Sequence, residues 1–169
     1  MALWAKLPVG ERVRNWLPRD TLCPLDGQPE TMEHALRTCK YLPFIFDTVD
    51  KWFPHLVING NACNSVVRLL YDFPGEALLH PPGILAWSGI LTNWEQRQIA
   101  KHKGDDPGWH LFLASWIRRL TKWQLLSTPL LPIDQLAGFL DALIGLRDKG
   151  TLVHPQLNPD PPTLQGTQA

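Results

Sequence analysis

Four residues near the start of the chain have the side-chain types and the spacing of a small metal site. Cys23, Asp26, His34 and Cys39 follow the pattern C-x2-D-x7-H-x4-C. Zn²⁺ is held by about four tetrahedral nitrogen, sulfur or oxygen ligands, and a tight turn can present the first pair. The segment 23–29 contains Asp-Gly between two prolines, which is typical of such a turn. Since a cysteine at position 26 would make the pattern a CCHC site, the sequence predicts a degenerate CCHC-like zinc site.

Three interpretations of this pattern remain open at the level of sequence. Asp26 is the fourth ligand, or Cys63 or His55 replaces it from further along the chain, or the site has lost its metal. A carboxylate beside two thiolates is an uncommon structural set, because a harder ligand weakens a site selected for thiolate. The simplest alternative without an ion is a pair of buried thiols and a surface imidazole. Three cysteines are too few for a disulfide scaffold, so we expect a reducing compartment.

Helices must position these residues, since proline and glycine divide the chain into short apolar segments with helical periodicity. Thr31 is expected to cap a short helix over residues 32–37, which carries His34. The strand signal is limited to residues 56–58. The other helices are expected over residues 10–17, 44–53, 66–73, 84–100, 109–126 and 133–147.

Composition divides the chain into three parts. Residues 1–60 are expected to form a zinc-binding-like module and residues 61–153 a Trp-rich helical region. Residues 154–169 are dominated by Pro, Asn, Gln, Thr and Gly, which favours a disordered tail. The expected fold class is mainly α, with a small degenerate zinc-knuckle-like module followed by a short-helix bundle and that tail.

Tryptophan is unusually frequent, with eight residues against two tyrosines. Trp109, Trp116 and Trp123 recur every seven residues on the most amphipathic helix and therefore share one face. Burial of this face against Trp87 and Trp94 is the simplest explanation. The alternatives are that exposed rings stack on unpaired bases or that the face binds a helix of a protein partner.

The metal pattern lies inside a longer motif. Leu7-Pro8 and Trp16 precede it, Cys-Pro-Leu-Asp-Gly-Gln-Pro-Glu-Thr and His-Ala-Leu-Arg-Thr-Cys form its core, and Trp52 follows. This segment, residues 3–53, resembles the zinc-binding domain at the C-terminal end of reverse transcriptases of non-LTR (LINE-type) retrotransposons. The resemblance implies a zinc ion and binding of RNA, and it places Asp26 where the family has its second cysteine.

Arginines interleave with Trp16 where such a zinc knuckle would meet RNA. Possible partners are therefore RNA or single-stranded nucleic acid, or a protein bound through the Trp-rich helices. A second basic group in the later half, interpreted as a solvated face, consists of Arg97, Lys101, Lys103, Arg118, Arg119 and Lys122. The residues expected to contact nucleic acid or a partner are Arg12, Arg14, Trp16, Arg37, Trp109, Trp116, Arg118, Arg119 and Trp123.

Charge and hydropathy restrict the remaining functions. Lys and Arg together number 16, as do Asp and Glu, so the zero net charge argues against nucleic-acid binding by bulk electrostatics. We find neither a signal-peptide core nor a run of 18 uncharged apolar residues. The protein is therefore expected to be intracellular, in the nucleus or cytoplasm, without membrane contact.

Catalytic patterns are weak. The adjacent acids Asp105 and Asp106 lie in a connector rich in Gly, Pro and Lys and are interpreted as a solvated loop. The sequence contains no Gly-rich phosphate loop and no G-x-S-x-G motif. We therefore expect a non-enzymatic, retrotransposon-derived protein with a degenerate zinc site. The alternative is a protein–protein interaction module that uses the Trp-rich face and binds no metal.

Overall fold

The computed structural model describes residues 22–58, 61–63, 65–126 and 133–148. This part of the chain is mainly α-helical, which confirms the expected fold class. The helix expected over residues 10–17 and the tail 154–169 lie outside the described residues. The helices are a π-helix His34–Thr38, α1 Leu42–Trp52, α2 Val66–Asp72, α3 Pro74–Ala77, α4 Pro81–Lys103, α5 Gly108–Leu126 and α6 Ile133–Asp148.

A two-stranded antiparallel sheet separates α1 from α2. Strand β1, Leu56–Ile58, is the strand expected from the sequence, and it pairs with β2, Asn61–Cys63. Leu56 lies opposite Cys63 in this register. The partner strand escaped sequence reasoning because Asn-Ala-Cys lacks the β-branched and aromatic residues that mark strands.

The helix ends follow the capping rules. Ser65 accepts a hydrogen bond from the Val67 N–H at 3.2 Å and caps α2. Helix α4 starts at Pro81, earlier than expected, because the first turn tolerates a missing N–H. It ends at Gly104, whose φ of +81° suits a residue without a Cβ.

Helix α4 is the central element of the bundle, and it packs against α1, α2, α3 and α5, while α6 packs on α5. Its contact with α1 is close, because a Cβ at Gly89 would lie 2.7 Å from Ile45 Cγ2. Buried residues from both sides of residue 60 belong to one hydrophobic cluster, which extends from Cys23 to Leu143. The residues on the two sides of residue 60 therefore share one core.

The Trp-rich face of α5 turns inward at its centre. Trp116 has no exposed surface, and its Nε1 donates a hydrogen bond to Ser88 Oγ at 2.7 Å. The rings of Phe112 and Phe139 lie 5.9 and 5.7 Å from it, centroid to centroid. Packing therefore explains the position of Trp116. None of the helices in the described ranges has both the length and the apolar character needed to cross a membrane.

Candidate metal centre

A closed turn presents the first pair of candidate ligands. The Cys23 N–H donates to the Gln28 carbonyl at 2.7 Å, and the Gly27 N–H donates to the Cys23 carbonyl at 2.9 Å. Gly27 adopts a φ of +71°, which allows the chain to reverse without steric cost. Because the turn closes on itself, the Cys23 thiol and the Asp26 carboxylate lie side by side.

A capped helical turn presents the second pair. Thr31 Oγ1 accepts a hydrogen bond from the His34 N–H at 3.0 Å, which confirms the expected cap. The Cys39 N–H then donates to the His34 carbonyl at 2.8 Å, five residues back. In an α-helix, residues five apart point about 140° away from each other, whereas the wider π-turn brings them towards one side. The π-helix therefore aims His34 and Cys39 at the same point.

The four side chains converge on one region. One ligand atom from each of Cys23, Asp26, His34 and Cys39 lies within 4.8 Å of all the others. The two sulfurs are 3.6 Å apart, and His34 Nε2 is 3.2 Å from Asp26 Oδ1. Tetrahedral ligands at zinc bond lengths are separated by about 3.3–3.8 Å, so both distances are close to those of a filled site. This group of two cysteines, one aspartate and one histidine can hold a metal ion.

The imidazole of His34 is arranged as a ligand. Its Nδ1 lies 3.2 Å from Thr38 Oγ1, which fixes the ring orientation. Its Nε2 is buried and makes no hydrogen bond of normal geometry within the described residues, although Asp26 lies nearby. A buried polar nitrogen without a hydrogen bond is unfavourable, and a metal ion at the centre of the group would satisfy it.

Asp26 occupies the fourth position. Its Oδ1 accepts a hydrogen bond from the Gln28 N–H and its Oδ2 from the Lys40 N–H, both at 3.2 Å. These bonds hold the carboxylate beside the thiols. Within the described residues the group includes neither Cys63 nor His55, and the Cys63 thiol instead points to the Ser65 carbonyl at 3.5 Å.

The two thiols share their protons unequally. A hydrogen bond from Cys39 lowers the pKa of Cys23 to about 6 against the effect of burial, with help from the Leu25 N–H, His34 and the charge of Arg97. The same hydrogen bond and burial raise the pKa of Cys39. Both cysteines are free, and the hydrogen bond between them favours the thiolate form of one of the two. A thiolate is the form that binds metals.

Three further residues surround the group, and sequence reasoning did not find them. Arg97 was assigned to a solvated basic face, and this is wrong because it is 1% exposed and forms an ion pair with Glu30. Asn93, one turn earlier on α4, is also 1% exposed. The sequence carries no signal for these positions, because an arginine on a helix ordinarily indicates a solvent-facing side.

The connector between α4 and α5 is tied to the same region. Asp106 accepts hydrogen bonds from the Tyr41 hydroxyl at 2.7 Å and the Gly108 N–H at 3.1 Å, and it pairs with Lys40. This acid therefore lies in an exposed loop, as expected, but its side chain is anchored by these contacts. Lys40 follows the candidate ligand Cys39 directly, so the connector packs against the metal centre.

The contact residues expected in the N-terminal segment, Arg12, Arg14 and Trp16, lie outside the described residues. Arg37 is exposed, pairs with Glu33 at 3.6 Å and stacks 4.2 Å from the Tyr71 ring. These contacts occupy its guanidinium within the protein.

The contact residues expected on α5 have mixed positions. Trp116 is corrected from a contact residue to a core residue, because it has no exposed surface. Arg119 Nη2 pairs with Glu95 at 2.8 Å, and Trp109 packs edge-on against Tyr41. Trp123 is half-buried and Arg118 is exposed.

No protein-family model, curated protein or solved structure matches this chain. The candidate centre is therefore interpreted from its own geometry.

Proposed function

We propose that the protein binds one zinc ion through Cys23, Asp26, His34 and Cys39 and uses it to fasten its N-terminal module to the helical bundle. The observation that carries this proposal is the convergence of four ligand atoms from a turn and a π-helix within 4.8 Å. The buried His34 Nε2 makes no hydrogen bond of normal geometry within the described residues and lies 3.2 Å from Asp26 Oδ1, which is consistent with a bound ion.

The donor set favours zinc. Two sulfurs and an imidazole suit borderline-soft ions, whereas Mg²⁺ and Ca²⁺ prefer oxygen throughout. Zinc also accepts a carboxylate oxygen and prefers the tetrahedral arrangement that the group approaches. The resemblance of residues 3–53 to retrotransposon zinc-binding domains is consistent with the same ion.

The proposed role is structural and non-enzymatic. Four protein ligands complete a tetrahedral shell, whereas catalytic zinc sites keep one position for water or substrate. Cys23, His34 and Cys39 are buried, whereas Asp26 is exposed, with 22% of its side-chain surface accessible. A centre with four protein ligands converts the free energy of metal binding into folding free energy.

Metal content tests the proposal. We expect about one zinc per chain in protein purified without chelator, and cobalt substitution should give the thiolate charge-transfer bands of a two-sulfur tetrahedral site. Cys39→Ala and His34→Ala should each abolish stoichiometric zinc, because each removes one of the four ligands. Asp26→Ala should weaken zinc binding, whereas Asp26→Cys should strengthen it by supplying a softer ligand.

The matched control is Cys63→Ala, which removes a buried thiol outside the group and should leave the zinc content unchanged. Wild-type protein that is folded, reduced and unable to take up zinc or cobalt would refute the proposal. Equal zinc content in Cys39→Ala and Cys63→Ala would refute the ligand assignment.

A further inference from the structure

One side of α4 places two buried polar residues, Asn93 and Arg97, next to the candidate metal centre. They lie four residues apart and therefore share a face of the helix. Both are 1% exposed, in a region where polar side chains need partners. Neither residue belongs to the ligand group, so their burial requires a separate explanation.

The Asn93 amide is buried without a hydrogen bond of normal geometry. This holds for both Nδ2 and Oδ1 within the part of the chain that the structure describes. The side chain lies close enough to the Cys39 thiol to lower the pKa of that sulfur by hydrogen bonding. An amide N–H beside a sulfur is better matched by a thiolate than by a thiol, because the thiolate is the stronger acceptor.

Arg97 brings a positive charge to the same place. Its Nη2 pairs with Glu30 Oε1, and its Nε and Nη1 make no hydrogen bond among the described residues. Burial lowers the pKa of the guanidinium, and the nearby Cys23 and Asp26 oppose that effect. The charge therefore lies near enough to Cys23 and Asp26 to interact with both, while the guanidinium also stacks 5.1 Å from the Trp94 ring.

The net charge of a zinc-loaded site explains why a buried arginine lies beside it. A zinc ion with two thiolates and one carboxylate carries one net negative charge, and buried Glu30 adds another. Negative charges are costly in a largely buried region unless a positive charge lies close to them. The Arg97 guanidinium offsets one of these two charges.

We infer that Asn93 and Arg97 are positioning residues of the metal centre, so that the helical bundle sets the metal affinity of the N-terminal module. In this arrangement Asn93 donates a hydrogen bond to the Cys39 sulfur, and Arg97 offsets the negative charge of the loaded site. This inference rests on the proposed zinc binding and says which residues outside the ligand group raise the zinc affinity.

Zinc affinity of the full chain, measured by competition with a chromophoric chelator, tests the inference. Loss of a residue that supports metal ligands in this way commonly weakens metal binding 10–100-fold. We therefore expect Asn93→Leu and Arg97→Met each to weaken zinc binding by a factor in about that range. Arg97→Lys keeps the charge and should recover most of the affinity. The matched control is Gln96→Leu, which removes a buried polar side chain that reaches Ser115 on α5.

A spectroscopic readout separates positioning from general support of the fold. A hydrogen bond to a thiolate shifts its charge-transfer band to cobalt, so Asn93→Leu should move that band while Gln96→Leu leaves it in place. Arg97→Met removes the arginine that pairs with buried Glu30, so the double variant Glu30→Gln/Arg97→Met supplies the measurement if the single variant does not fold.

The outcomes are distinguishable. If wild-type protein binds zinc while Asn93→Leu and the double variant stay within about threefold of it and share its cobalt spectrum, this inference is overturned and the proposed function stands. If wild-type protein binds neither zinc nor cobalt, the proposed function is overturned and this inference with it. Weakening in Gln96→Leu equal to that in Asn93→Leu would also overturn the inference.

Discussion

Asp26 decides at the scale of single residues whether this centre is complete. Two backbone N–H groups, from Gln28 and Lys40, hold its carboxylate in position. A carboxylate held by N–H donors is pre-oriented, which offsets part of the disadvantage of a harder ligand. Asp26 therefore offers a harder ligand than a thiolate but is fixed in its place within the candidate group.

Asp106 allows a prediction of pH dependence. Burial alone would raise its pKa, but hydrogen bonds from Lys40 and Tyr41 hold the pKa below its usual value. A carboxylate with a lowered pKa stabilises the fold above its unfolded pKa of about 3.9, and this stabilisation is lost as the pH falls through the folded value. Asp106→Asn should therefore be about 1 kcal/mol less stable than wild type at pH 7.

Urea unfolding of both proteins at pH 7 and at a pH well below the usual carboxyl pKa checks this prediction. The difference between them should shrink in acid, because the wild-type carboxylate becomes protonated as the pH falls through its lowered pKa. Asp105→Asn, at the exposed neighbouring position, serves as the control and should change little at either pH. A difference that stays constant with pH would show that the charge of Asp106 does not stabilise the fold.

Helix α4 organises the molecule at the scale of elements. One side carries Asn93 and Arg97 towards the metal centre, and another carries Ser88 and Thr92 towards α5. Its N-terminal end packs closely against α3 at Gly83, where a Cβ would overlap the Ala77 carbonyl group. We call this contact between Gly83 and Ala77 the α3–α4 corner. The position of α4, and with it the support for the candidate metal centre, depends on this corner.

Gly83→Ala should therefore be strongly destabilising. The added methyl would meet backbone atoms, which cannot move aside as a flexible side chain can, so we expect a loss of several kcal/mol. Gly145→Ala in α6 is the matched control, since a Cβ there meets nothing within 4 Å. It should raise stability by about 0.5–1 kcal/mol through helix propensity. Thermal unfolding of both variants would measure this, and equal effects would refute the proposed corner.

The metal centre and the helical bundle share one core at the scale of the whole molecule. Cys23 and Cys39 belong to the same hydrophobic cluster as residues of α1, α4, α5 and α6. Arg97 of α4 also pairs with Glu30, and Asp106 of the connector after α4 accepts a hydrogen bond from Tyr41. Metal binding or ligand loss at the candidate centre should therefore change the stability of the whole chain.

Zinc should raise the Tm of the full chain, and the stabilisation should grow with the logarithm of the zinc concentration relative to Kd. A ligand that binds only the folded state stabilises it by about 2.7 kcal/mol at a concentration of 100 Kd. Because the core is shared, we expect a single unfolding transition that shifts as a whole when zinc is removed by chelation. Calorimetry with and without chelator measures this, with Cys39→Ala as the variant that should not respond. An unchanged Tm after chelation would contradict the structural role.

Local features of this protein can be read from the amino-acid sequence alone. The cap at Thr31, the proline-bounded helix α1, the strand at residues 56–58 and the order of the later helices all follow from interactions within a few residues. The spacing of Cys23, Asp26, His34 and Cys39 likewise placed the candidate ligands in one turn and one short helix. Local rules suffice for the cap, the helices and the strand, because the interacting residues lie within a few positions of one another in the chain.

The surroundings of the centre emerge only when the helices pack together. Arg97 and Glu30 lie far apart in the chain, and a charged side chain on a helix is normally solvent-exposed, so their buried ion pair had no local signal. The hydrogen bonds that anchor Asp106 and the burial of Trp116 had no local signal for the same reason. Burial and charge pairing depend on which helices are neighbours, and that choice arises from the whole core.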